Sequence, residues 1–139
     1  MPSPKTLLAF DYGTRNIGVA LGQTLTASAR ELKGLKARDG VPEWSEIDKL
    51  LKEWQPDLLL VGLPLNMDDS ESELSVRARK FANRLHGRFG LPVELVDERL
   101  SSFEAKGEVM NRGGSRDYKN HPVDSIAARL ILEDWLGRH

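Results

Sequence analysis

Acidic residues stand at three separated points of the chain: Asp11 at the close of the first apolar run, Asp97-Glu98 at the close of the last, and Asp124 at the opening of the final helical pattern. Carboxylates so placed converge at one sheet edge if their elements pack side by side, and hard oxygen ligands there hold Mg²⁺ or Mn²⁺ against a phosphodiester. Each acid also has an ordinary reading. Asp11 precedes Tyr12-Gly13 and could cap a hairpin turn. Arg99 could neutralise Asp97 or Glu98 as a plain salt bridge, or hold a phosphate bidentately. An acid in a first helical turn, as Asp124 would be, interacts favourably with the helix dipole whatever its function. Against that reading of Asp11 stands an equal one: a carboxylate ending a buried strand is expensive unless paired or metal-bound, and the turn glycine lets a phosphate or metal approach the backbone. Strand alternation sends Asp97 and Glu98 to opposite faces, so at most one of them looks directly into the site.

The elements that must position these acids follow from the apolar pattern. Leu7 to Asp11, the turn Tyr12-Gly13-Thr14-Arg15-Asn16 and Ile17 to Leu21 read as a hairpin, and a third strand over Thr26 to Leu32 completes an antiparallel meander. From Pro42 to Trp54, Trp44, Ile47, Leu51 and Trp54 fall at helical spacing, and Gln55-Pro56 stops the helix. Asp57 to Gly62 is apolar throughout its middle, as in a strand covered on both faces. Ser70-x-x-Glu73 has the form of a capping box for a long helix whose inner face is Leu74, Ala78, Phe81, Ala82, Leu85 and Phe89. Pro92 to Asp97 is a fifth strand; Ser101-x-x-Glu104 starts another helix, closed by Gly113-Gly114. Pro122 suits the first turn of a last helix with Ile126, Ala127, Leu130 and Ile131 inward, where Ala127-Ala128 permits close approach to the sheet.

Composition bounds the rest. The chain has 139 residues, 40% of them apolar, enough for one domain over residues 1–139 with a real core, and no linker or repeat divides it. Twenty Lys and Arg against 21 Asp and Glu leave a formal net charge of −1, so any basic surface is local. One such stripe is Arg77, Lys80, Arg84 and Arg88 on the long helix: solvated charge or a phosphate grip. The polar segment from Ser115 to His121 brings Arg116 and Lys119 as residues able to close over a substrate. The absence of cysteine excludes disulfides, thiolate metal sites and thiol catalysis. No apolar run approaches the roughly 20 residues that span a bilayer, so a cytoplasmic protein without membrane contact is expected.

Four motifs, in order, carry a resemblance that covers about Leu7 to Leu136: Asp-Tyr-Gly-Thr-Arg-Asn-Ile-Gly-Val-Ala at 11–20, Val-Gly-Leu-Pro-Leu-Asn-Met-Asp at 61–68, Asp-Glu-Arg-Leu-Ser-Ser at 97–102, and Val-Asp-Ser-Ile-Ala-Ala-Arg-Leu-Ile-Leu at 123–132. Together they resemble the YqgF or RuvX-type family, Holliday junction resolvase-like nucleases implicated in pre-16S rRNA maturation. The resemblance implies an α/β, ribonuclease H-like fold: a five-stranded mixed sheet, with a three-strand antiparallel meander and two parallel strands, flanked by helices. It implies a Mg²⁺- or Mn²⁺-dependent endonuclease with Asp11, Glu98 and Asp124 as catalytic acids and metal ligands. Asp11 would bridge two ions roughly 3.5–4 Å apart. Arg15, Asn66, Arg99, Ser101, Arg116 and Lys119 are the candidates for phosphate contact, and His121 is a possible proton carrier. Asp97 would instead order the loop carrying Glu98, through Arg99 or the Ser101-Ser102 helix start. The related RuvC-type resolvases look to an acid near the end of the strand where this chain has Gly62-Leu63-Pro64, so that duty passes to Asp97-Glu98.

Other classes compete. Sugar kinases, actin and the heat-shock ATPases carry an Asp-x-Gly-Thr hairpin that holds ATP phosphates, but they need a second phosphate hairpin and a second domain, for which 139 residues leave no room. A non-catalytic nucleic-acid-binding assembly factor would use basic residues alone and tolerate loss of Asp11. The expected partner is structured RNA or branched DNA, with ribosomal RNA processing ahead of junction resolution. The protein would be a monomer, or a homodimer if it makes paired cuts.

Overall fold

The computed structural model describes residues 5–64, 72–97 and 123–138, with 123 and 124 in backbone only. Strands β1 (Thr6–Asp11), β2 (Asn16–Gln23) and β3 (Ser28–Arg38) form the meander. A two-residue edge strand, β4 (Val41–Pro42), leads into helix α1 (Trp44–Trp54). Strand β5 (Leu58–Leu63), helix α2 (Glu73–Phe89), strand β6 (Val93–Asp97) and helix α3 (Val123–Arg138) follow. The sheet order is β4-β3-β2-β1-β5-β6, with β1, β5 and β6 mutually parallel. The five expected strands are all present, and β4 adds a short sixth.

Three local differences from the sequence reading have physical causes. Strand β3 runs on to Arg38 because a bulge carries it past Gly34: Ile17 pairs with Leu35 but Val19 pairs with Leu32, so β3 holds one extra residue there. The bulge lets Leu32 and Leu35, which simple alternation would separate, pack into the same core. Helix α1 starts at Trp44 because buried Pro42 is taken up in β4. Helix α2 is capped by Ser72, whose Oγ accepts from the Ser75 amide at 3.0 Å while donating to the Pro64 carbonyl at 3.1 Å. That cap displaces the anticipated Ser70-x-x-Glu73 box. The helix anticipated from Ser101 lies outside the described residues.

The strands alternate between two cores. Leu8, Phe10, Val19, Leu21, Leu59, Val61 and Leu63 face α1 and α2, where Ile47, Leu51, Ala78, Phe81, Ala82 and Leu85 close the layer. Phe81 meets Phe10 edge-on at 5.8 Å between ring centroids and lies beside Tyr12 at 5.2 Å. The intervening residues Leu7, Ala9, Ala20, Leu58 and Leu60 face α3, against Ala128, Ile131, Leu132 and Trp135. At the start of the parallel pair, the Thr6 amide donates to Asp57 Oδ2 at 2.9 Å and the Asp57 amide returns a bond to the Thr6 carbonyl at 2.7 Å. No described helix is long and apolar enough to cross a membrane.

Candidate active site

Asp11 is the last residue of β1, and its alternation with Leu7 and Ala9 puts its carboxylate on the α3 face, half-buried. Register decides its neighbours. Asp11 pairs with Gly18 of β2, and the pairing of Phe10 with Val61 brings Gly62 of β5 to its other side. Gly62 in turn pairs with Val96 of β6. The two strands flanking Asp11 therefore contribute no side chain of their own at its level.

Helix α3 brings its N-terminus to the same place. Ser125 is buried, and its Oγ donates to the Leu32 carbonyl at 3.0 Å. At the bulge, a Cβ on Gly34 would lie 3.5 Å from Ser125 Oγ, 3.2 Å from the Ile17 carbonyl oxygen and 4.0 Å from the Gly18 Cα. Asp11, Gly18, Gly34 and Ser125 thus stand in succession across the sheet, and Asp124 is the residue before Ser125, in the first turn of α3. The helix sits close because the sheet beneath it is small: a Cβ on Gly22 would fall 2.5 Å from Leu132 Cδ2. An ion pair between Arg129 and Glu31 at 3.7 Å fixes the middle of the helix to β3. Further along, Trp135 Nε1 donates to Glu94 Oε2 at 2.7 Å.

The loop after Asp11 is tied from several directions. A Cβ at Gly13 would stand 2.4 Å from the Asn16 carbonyl oxygen, so the turn admits only glycine without moving. Tyr12 Oη donates to the Gly40 carbonyl at 3.0 Å, the Gly40 amide donates to the Thr14 carbonyl at 2.9 Å, and the Ala37 amide donates to the Arg15 carbonyl at 2.8 Å. Asp39 and Gly40 both adopt positive φ, and Asp39 bonds Arg77 at 3.1 Å. That hydrogen bond raises the Arg77 pKa above the ordinary arginine value. Arg15 itself extends into solvent from this braced loop.

On β6, Val93 packs with the α1/α2 core, whereas Val96 joins the α3 core and Glu94 bonds Trp135 of α3. Asp97 shares the parity of Val93, on the face away from Asp11. Of the anticipated site residues, Asp11 and Arg15 are described, and Asp124 is placed by its backbone; Glu98, Asn66, Arg99, Ser101, Arg116, Lys119 and His121 lie outside the described residues. Among the described residues no three His, Asp or Glu side chains stand together as metal ligands. The sequence reading missed Ser125 and Gly34, which bring α3 to β1. Its available signal was a serine directly after Asp124 within an otherwise apolar stretch.

Comparison with known proteins finds relatives along almost the whole chain. A profile of the RuvX family, described as Holliday junction resolvase, matches residues 5–138. A Marinobacter nauticus protein provisionally named pre-16S rRNA nuclease is 61% identical over 137 residues, covering 97% of this chain and 96% of that one. One of the same name from Azotobacter vinelandii is 60% identical over 137 residues, covering 99% and 96%. Among solved structures, Thermus thermophilus RuvC in complex with a Holliday junction substrate superposes with a TM-score of 0.60 at 18% identity, over 96% of this chain and 94% of that one.

Proposed function

The chain belongs to the RuvX family, and from that premise we propose that it is a metal-dependent endonuclease that cuts phosphodiester bonds in 5′-end processing of pre-16S rRNA. The observation that carries the reading is the place of Asp11 at the end of β1. Asp11 stands there between two glycine positions, 18 and 62, with the N-terminus of α3 packed in at Gly34. Asp11, Glu98 and Asp124 are the acids we assign to Mg²⁺ or Mn²⁺, a hard-oxygen set suited to those ions, and at 18 and 62 the flanking strands place no side chain of their own beside Asp11. When bound, the metal would lower the pKa of a water and offset charge building on the scissile phosphate.

The protein's own part is placement. Bonds to Gly40 and Ala37 hold the loop that carries Arg15, so its guanidinium meets a phosphate without first ordering the backbone. Glu98 is preferred over Asp97 because Asp97 shares the parity of Val93, which packs away from α3, whereas Glu94 and Val96, the alternate set, face α3 as Asp11 does. Asn66, Arg99, Ser101, Arg116 and Lys119 complete the proposed substrate contacts. Pre-16S rRNA leads over junction DNA because the relatives near 60% identity carry the rRNA name, whereas the likeness to RuvC at 18% identity speaks for architecture.

The test is cleavage by purified protein of an RNA spanning the 16S 5′ leader, of junction DNA and of single strands, each with and without Mn²⁺. Asp11→Asn keeps the side chain's size and removes its charge. It should cost at least about a hundredfold in cleavage while nucleic-acid binding is retained or tightened, since carboxylate–phosphate repulsion is relieved. Near wild-type cutting by that variant would show the site to be elsewhere.

A further inference from the structure

The α2 stripe is the basic feature most visible in the sequence, but it stands across the sheet from Asp11, since α2 closes the face opposite α3. Two of its four members are also engaged: Arg77 with Asp39, and Arg88 with its guanidinium carbon 4.3 Å above the Trp44 ring. Strand β3 offers the reverse case. Leu35 and Ala37 pack toward α1 and α2, so Lys36 and Arg38 leave from the α3 face, continuing the row that begins at Gly34 beside Ser125. Lys36 pairs with Asn16, one two-residue step beyond the pairing of Asp11 with Gly18. Strand spacing and rise put its Cα about 12 Å from that of Asp11. Both side chains are exposed, and among the described residues neither has an ion-pair partner.

We propose that Lys36 and Arg38, continuing from Arg15 and Asn16, form a phosphate-binding ledge that grips the backbone of a nucleic-acid strand running past the active site along β3. The inference rests on the nuclease reading and adds to it the track of the substrate. Charge complementarity commits it to a polyanion: these cations lie in line on one strand, and the alternating acid Glu31 on β3 is already paired with Arg129. The ledge, Arg15, Asn16, Lys36 and Arg38, carries no aromatic residue on which bases could stack, so its grip is on phosphate and independent of base sequence.

The experiment measures binding of a fluorescent RNA hairpin with a single-stranded tail across a salt series, all in the Asp11→Asn background so that the probe survives. Lys36→Ala and Arg38→Ala should each lower the slope of log K against log salt by about 0.7–0.9, and the double variant by about twice that. Lys80→Ala with Arg84→Ala on α2 should leave the slope unchanged. These positions are exposed, and unaltered melting curves will confirm that each variant is folded. An unchanged slope in the β3 double variant overturns the ledge even if the wild type cuts RNA. A reduced slope in a protein that never cuts keeps the ledge and defeats the nuclease reading instead.

Discussion

The two faces of one sheet are built from alternate residues of the same strands, yet they do different work. Toward α1 and α2 the rows stay large to the end: Phe10, Val61 and Leu63 meet Phe81 and Tyr12, and the layer closes as a core. Toward α3 the rows shrink along β1. Leu7 lies between Gly22 and Leu58, Ala9 between Ala20 and Leu60, and Asp11 between Gly18 and Gly62, so the last row has no apolar side chain at all. A carboxylate in that row stands where the rows before it carry apolar residues, and the strands on either side offer it only glycine. One face stays apolar to its end, and the other ends in the acid to which the proposed chemistry is assigned.

The largest expected effect tests that division directly. Phe81→Ala removes a ring that is 2% exposed and touches Phe10, Tyr12 and Trp44; it should cost about 3–5 kcal/mol in urea unfolding. Cleavage per folded molecule, measured well below the midpoint, should stay within about twofold of wild type. On the other face, Gly22→Ala forces a methyl into Leu132, which is fully buried, and should cost only about 1–3 kcal/mol. Because Leu132 cannot yield without moving α3, cleavage should fall by more than in Phe81→Ala. If Phe81→Ala proves the more damaging to cleavage, the faces are not separable.

The second comparison is within a single strand. Glu98→Gln should abolish metal-dependent cleavage by at least about a hundredfold, near 2.7 kcal/mol of barrier, with little change in melting temperature. Asp97, paired in register with Leu63 and on the α2 side, should lose activity only partly as Asp97→Asn. A dead Asp97→Asn beside an active Glu98→Gln would exchange their roles.

Legibility in the sequence followed the range of the interactions. Strands β1, β2 and β5 and the inner face of α2 were readable because burial on a regular element leaves a periodic trace, and Gln55 at φ 46 before Pro56 marked the end of α1. The sheet-facing side of α3 was not: of Ile126, Ala127, Leu130 and Ile131, expected inward, only Ile131 joins Ala128, Leu132 and Trp135 against the strands, and the other three form a separate buried cluster, because a helix apolar on most sides leaves no stripe to read. The length of β3 was not, since the bulge at Gly34 is stabilised by contacts with Ile17, Gly18 and Ser125, the last 91 positions away. The cap of α2 was hidden by two serines with equal local claims; Ser72 takes the Ser75 amide and donates to the Pro64 carbonyl, a contact eight residues back that no local pattern shows. The acids were found as residue types at element ends. That Asp11 stands between glycines from two other strands is a matter of register, which no local pattern shows.

The smallest effects compare the two ends of α3. Ser125→Ala removes a buried hydroxyl that donates to the Leu32 carbonyl at 3.0 Å; Trp135→Phe removes an indole N–H that donates to Glu94 at 2.7 Å. The first bond is neutral but buried. The second is charge-assisted, yet Glu94 is exposed and water replaces much of what is lost, so each change should cost about 1 kcal/mol. Equal costs with unequal consequences are what the fold requires. Ser125 adjoins Asp124 and the Gly34 bulge, so loosening it shifts a proposed metal ligand by a fraction of an ångström, enough for a loss of about tenfold in cleavage. Trp135 anchors the helix ten residues further on, about 15 Å away along its axis, and Trp135→Phe should cleave within about twofold of wild type. Thermal melts and single-turnover rates on the same RNA decide the matter: equal losses of cleavage in both variants would mean that α3 acts as one rigid lever, and that its N-terminus is not separately held by Ser125.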